Sequence, residues 1–116
     1  MSSSESRKHI RLDLFVQVQV SVDSEVHIMA TSNMSRGGAF ILANPADHPD
    51  IKVGTELDMV IFTADDLREM NCKARVVHIR DKQEDGRGLG FGVSFSHIPQ
   101  DEAPKLDEFL KYAEGA

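Results

Sequence analysis

A chain of 116 residues with 41% apolar and 28% charged side chains can bury one core, so it reads as a single globular domain and not a disordered or fibrous chain. Its 13 Lys and Arg face 19 Asp and Glu, a net charge of −6. That weighs against broad binding of DNA, RNA or an anionic membrane, which needs Lys and Arg to neutralise phosphates, but leaves room for a small anionic ligand at a local basic cluster.

Residues 1–6 form a small polar leader, expected to be flexible. RKHIR, residues 7–11, is then a knot of positive charge in an acidic protein. From Leu12 the pattern alternates: Val16, Val18, Val20 and Val22 face one way, Gln17, Gln19 and Ser21 the other. Asp23-Ser24 offers a turn, and Val26, Ile28 and Ala30 resume the alternation, so residues 12–33 predict a hairpin. NMSRGG leads into the apolar strand AFIL, followed by a loop rich in Pro and Asp, ANPADHPDIKVG. TELDMVIF and MNCKARVVHIR predict two more strands joined by TADDLRE, a connector with room for a helical turn. After the charged turn DKQEDGRG, Leu89, Phe91, Val93 and Phe95 alternate with Gly90, Gly92 and Ser94. Those glycines leave one strand face bare, so something is expected to pack closely there.

The period then changes. Leu106, Phe109, Leu110 and Ala113 fall at helical spacing, with Asp101 available as a cap, Pro104 in the first turn and Gly115 as a stop. Six or seven short strands and one helix predict a mainly β domain, a small antiparallel sandwich or barrel with a helix on one side or end.

Catalysis needs convergent acid, base or nucleophilic groups. His9, His27, His48, His78 and His97 are scattered, without metal-ligand spacing, and Asp65, Asp66 and the Asp81–Asp85 run read as loop charges. GRGLGFG does not fit a phosphate-binding GxGxxG. The lone Cys72 lies in a strand pattern and reads as a small buried hydrophobe. No enzyme, metal or cofactor is expected. No run reaches the roughly 18 apolar residues of a membrane span, and the N-terminus lacks the apolar core of a signal peptide. The expected address is the cytoplasm, with no membrane insertion.

Two stretches carry recognition chemistry. Arg7 and Arg11 are four apart, on one side of an extended chain at a separation of roughly 13 Å. A guanidinium fork pairs with phosphate and also with the O6/N7 edge of guanine. The ordinary reading is a solvated flank to the first strand. Asn33 and Ser35 project to one side of an extended backbone, offering a carbonyl, an amide and a hydroxyl. Gly37 and Gly38 permit positive φ and close approach of a ligand. Here the ordinary reading is a turn or bulge. His78 and Arg80 end a strand where a ligand meets the barrel surface, or simply turn into solvent.

Taken together, Arg7-x-x-x-Arg11 and, 22 residues on, Asn33-x-Ser35-x-x-Gly38 resemble the paired signature RxxxR and [D/N]xSxxG of the PilZ domain family. The resemblance runs from Arg7 to about Tyr112 and takes in the strand order and the terminal helix. It implies a six-stranded antiparallel barrel over about residues 12–96, a helix over about 101–113, and a non-catalytic receptor for the bacterial second messenger cyclic di-GMP. Carried over, Arg7 and Arg11 hold guanine edges and phosphates, Asn33 and Ser35 bond a guanine, and Gly38 keeps the backbone clear. Lys8, Arg36, Gly37, His78 and Arg80 complete the expected contact set. Asn33 stands where many members have Asp and offers one acceptor in place of two, which bears on affinity. Ser6, before the first Arg, bears on whether one dinucleotide or a stacked pair binds. A receptor of this kind implies a protein partner. Two competing readings are a PilZ-fold adaptor that binds no nucleotide, and a barrel for single-stranded nucleic acid; the latter fits poorly with one Tyr, no Trp and the acidic charge.

Overall fold

Two-residue alternation decides what lies inside. In β5 (Glu56–Phe62) Leu57, Met59 and Ile61 are buried, and in β6 (Glu69–Arg80) Met70, Cys72, Ala74 and Val76 are buried while Asn71, Lys73 and Arg75 face solvent. The computed structural model describes residues 12–13, 15–62, 69–83 and 88–115. The polar leader 1–6, the RKHIR stretch with Arg7, Lys8 and Arg11, the connector at 63–68 and residues 84–87 lie outside the described residues.

The other strands are β1 (Leu12–Asp13), β2 (Gln17–Val22), β3 (Glu25–Met34), β4 (Gly38–Leu42) and β7 (Gly90–His97), followed by helix α1 (Ala103–Gly115). Among the described residues, β3, β2, β5, β6, β7 and β4 follow one another in antiparallel pairs, and a further β3–β4 pairing closes the ring. The result is a closed six-stranded barrel, with the two-residue β1 added beside β3. Closure removes the strand edges that so short a set would otherwise expose.

The turn between β2 and β3 needs no glycine: Asp23 and Ser24 themselves take φ values of 50° and 69°. Positive φ at both central residues matches the right-handed twist of a two-residue hairpin, and Asp is among the residues that tolerate it. β3 is long enough to serve two neighbours. Its first part pairs with β2 and its last part with β4, and the register slips between Thr31 and Asn33. A bulge at Val77 on β6, between Val76 and His78, and another at Ser96 on β7, opposite Lys73 and Ala74, bend this strand pair around the ring.

Thr31, at the β3 irregularity, is fully buried. Its hydroxyl accepts from the Val16 N–H at 3.2 Å, and its own N–H donates to the Val16 carbonyl at 2.9 Å. Thr31→Val keeps the shape but leaves the Val16 N–H without its acceptor. The expected cost is about 1–2 kcal/mol, read as a lower urea midpoint with unchanged slope.

Inward side chains of all six strands meet Ile51, from the long β4–β5 loop, and Leu106, Phe109 and Leu110 of α1 in one core. That loop begins with a 3-10 turn, Pro45–Asp47, where the Asn44 side chain accepts from the Ala46 N–H at 3.1 Å. Burial, with Glu102 as a lesser influence, pushes the Cys72 thiol up to about 12, so it stays protonated and inert. No helix among the described residues is long and apolar enough to cross a membrane.

Glu102 joins α1 to the barrel wall. Its Oε1 accepts from the Asn71 N–H at 2.7 Å, and Lys105 Nζ, 3.3 Å from Oε2, also donates to the Glu69 carbonyl at 2.9 Å. The Asn71 hydrogen bond, against some opposing burial and with help from Lys105, holds the Glu102 carboxyl below the usual carboxylate range. A depressed folded value means that this stabilisation is complete above the unfolded value of about 4.3 and fades as pH falls through the lower folded one. The stability lead of the wild type over Glu102→Gln therefore shrinks below about pH 4. Thermal unfolding of both proteins from neutral to acidic pH checks this; a constant difference contradicts it.

Candidate functional site

The outer surface of the barrel near the end of β3 is built by register. Asn33 pairs with Phe40 on β4, Phe40 with Gly92 on β7, and Gly92 with His78 on β6. Directly paired residues share a face, so Asn33, Phe40, Gly92 and His78 form one row across four strands. Three strand spacings cover about 14 Å. The next row holds Leu42, Gly90 and Arg80. The residues flanking Phe40, Ala39 and Ile41, belong to the core, and Phe40 does not, which fixes this row as the outward one.

Asn33 holds the least usual atom among the described residues. Its Oδ1 is buried and has no hydrogen-bond partner among the described residues, although buried polar atoms are almost always paired. β1 lies alongside, with Leu12 in register with Met34 and Asp13 with Asn33. The chain therefore leaves the RKHIR stretch and enters directly beside the asparagine.

Ser35 is buried at the β3–β4 crossing. Its N–H donates to the Gly38 carbonyl at 2.8 Å, and its hydroxyl oxygen accepts from the Gly37 N–H at 3.1 Å. Among the described residues the hydroxyl proton has no acceptor, so it can still donate. Gly37 also extends the ladder, its carbonyl accepting from the Phe95 N–H at 2.8 Å.

The reason for Gly38 is packing. A Cβ there would stand 2.0 Å from the Val93 carbonyl oxygen. Positive φ, which a glycine pair permits, is found at Gly54 and Gly90 and not at Gly37 or Gly38. Arg36, inside the same motif, is ion-paired across the surface with Asp107 of α1. Both partners are about half exposed, so the pair adds little stability, and it turns Arg36 toward the helix.

His78 and Arg80 are thus brought onto the same face as Asn33. Arg80 lies over the Phe40 ring, 4.8 Å from its centroid. The bare strand face expected from the glycines exists, and Phe40 fills it: a Cβ on Gly90 would come 2.9 Å from the ring, and one on Gly92 would come 3.8 Å from it and 3.3 Å from the His78 Cβ. Sequence reasoning missed Phe40. The available signal was AFIL itself, since four apolar residues in an alternating strand must send some outward. No cluster of metal-ligating side chains occurs among the described residues.

The model of the family described as PilZ domain matches residues 5–112. The PilZ domain of YcgR from Escherichia coli, solved with c-di-GMP, superposes with a TM-score of 0.75 at 14% identity, covering 93% of this chain and 91% of that one. The Bacillus subtilis inhibitor of motility, MotI/DgrA, gives 0.73 at 19% identity over 91% of this chain and 50% of that one. The K. pneumonia MrkH–c-di-GMP complex gives 0.69 at 15% identity over 90% and 49%. At these identities the likeness is one of fold, and the chain spans about half the length of the MotI and MrkH chains. No curated protein sequence gives a match.

Proposed function

The chain belongs to the PilZ domain family, and from that premise we propose that it is a cytoplasmic, non-catalytic receptor that binds cyclic di-GMP on the outer face carrying Asn33 and Ser35. One observation carries this reading: the buried Asn33 Oδ1, without a partner among the described residues. An acceptor that no described residue satisfies is suited to the N1–H or N2–H of guanine. The Ser35 hydroxyl proton, next in the motif, adds a donor. Arg7 and Arg11 supply the forks for guanine edges and phosphates in a chain that is otherwise acidic. Lys8, Gly37, His78 and Arg80 are the further contacts, and Arg36 joins them by exchanging its ion pair with Asp107 for the ligand. The YcgR and MrkH structures, which hold this dinucleotide, support the ligand class.

Connectivity supports a relay. β1 follows Arg11 directly and lies against the Asn33 end of β3. Ligand held between the arginines and Asn33 orders the N-terminal stretch on the barrel and creates a new surface for a protein partner, at some cost in affinity for the ordering.

Amide NMR during titration with cyclic di-GMP tests the placement. Shifts centred on the Asn33 side-chain amide, Ser35 and Gly92 are expected. Shifts centred on the Asp23–Ser24 turn, at the other end of β3, would contradict it.

A further inference from the structure

We infer that Phe40 is a positioning residue: it holds the Arg80 guanidinium against the outer face of the barrel as a stacking surface for a purine base of the ligand. The inference rests on the nucleotide-binding reading above and assigns a role that neither motif contains.

Phe40 is 5% exposed yet lies outside the barrel core. An aromatic ring is sunk into the outside of the wall, in the space that Gly90 and Gly92 leave open. Arg80 covers it at 4.8 Å. Among the described residues Arg80 has no carboxylate partner, and the contact that places it is the Phe40 ring. A guanidinium is planar and weakly hydrated, and it stacks on aromatic faces and nucleobases alike. With one side on Phe40, its other side is left for a base. Asn33 is the register partner of Phe40, one strand spacing of about 4.8 Å away. A single purine therefore reaches Asn33 with its edge while its face covers Arg80. His78, beyond Gly92 in the same row, closes the far side of this surface.

The test is a set of cyclic di-GMP titrations on the full chain: wild type, Arg80→Lys, Arg80→Ala, Phe40→Leu and the Phe40→Leu/Arg80→Ala double variant, each with its unfolding midpoint. Arg80→Lys keeps the charge and loses the planar face, and should weaken binding about tenfold without a change in unfolding midpoint. Phe40→Leu should weaken binding to a similar degree. In the Arg80→Ala background Phe40→Leu should add nothing, because Phe40 acts through Arg80. Wild-type affinity in Arg80→Lys or Phe40→Leu, or fully additive losses in the double variant, would overturn the inference while the receptor reading stands. Absence of binding by the wild type would overturn both.

Discussion

Gly38→Ala will destabilise the barrel by more than about 3 kcal/mol, with no ligand present. A Cβ at this position meets the Val93 carbonyl oxygen at 2.0 Å, the Val93 carbonyl carbon at 3.1 Å and the Ser94 Cα at 3.2 Å. All three are backbone atoms of β7, so no rotamer change relieves the contact. Either β4 and β7 separate, breaking the Gly38–Ser94 register that opens their ladder, or the chain leaves the fold. Total stabilities of domains this size are about 5–15 kcal/mol, so the loss is a large share. Gly54 is the control: its φ is 96° and no atom lies within 4 Å of its added Cβ, so Gly54→Ala costs only the left-handed backbone penalty of about 1–2 kcal/mol. Urea unfolding of both variants decides the matter. A Gly38→Ala protein as stable as Gly54→Ala would show that the two strands are not so closely set. Loss of ligand binding in a Gly38 variant is consequently not evidence of a ligand contact, although Gly38 belongs to the recognition motif.

Arg11→Ala should do the reverse: leave the fold intact and remove binding. The dinucleotide carries two phosphates and two guanines, and the chain as a whole is acidic, with net charge −6. On the proposed reading local guanidinium groups supply the attraction. Arg11 immediately precedes Leu12, which is in register with Met34 at the Asn33 end of β3. Removing one partner of a desolvated charge pair costs about 2–5 kcal/mol, so affinity for cyclic di-GMP should fall by about 30-fold or more. The remaining binding should depend less on salt. The unfolding midpoint should hold within about 0.5 kcal/mol. Calorimetry at two salt concentrations, with a parallel unfolding curve, measures all three.

Much of the barrel was legible in the residues because alternation is a local signal. Val18 and Val20, Leu57 to Ile61, and Phe91 with Val93 are buried at the spacing that a half-wet strand requires. The helix was legible for the same reason, since Leu106, Phe109 and Leu110 repeat at 3.6 residues and do reach the core. Closure was not a local property. It depends on β3 serving β2 and β4 in turn, with a slip between Thr31 and Asn33, and no residue pattern marks where one partner gives way to the next.

The site divides along the same line. Asn33 and Ser35 were visible as a spaced pair of polar side chains. That Asn33 Oδ1 is buried without a partner among the described residues is a property of the folded sheet, in which β3 lies beside β1 and β4. Gly38 was noticed for the freedom of its backbone, yet what demands it is a carbonyl 55 residues further along, at Val93. Arg36 sits in the middle of the motif, and its ion pair with Asp107 links two segments that only folding brings together. Phe40 was hidden because a sequence does not say which of four consecutive apolar residues faces out.

The central claim is that this outer face holds a cyclic guanine dinucleotide. Titration calorimetry of the wild-type protein with cyclic di-GMP tests it most directly. Saturable binding is predicted, with a ligand-to-protein ratio that separates one dinucleotide from a stacked pair. No detectable binding at roughly 100 μM ligand, an affinity weaker than about −5.5 kcal/mol, would contradict the account and leave a PilZ barrel that works through protein contacts alone.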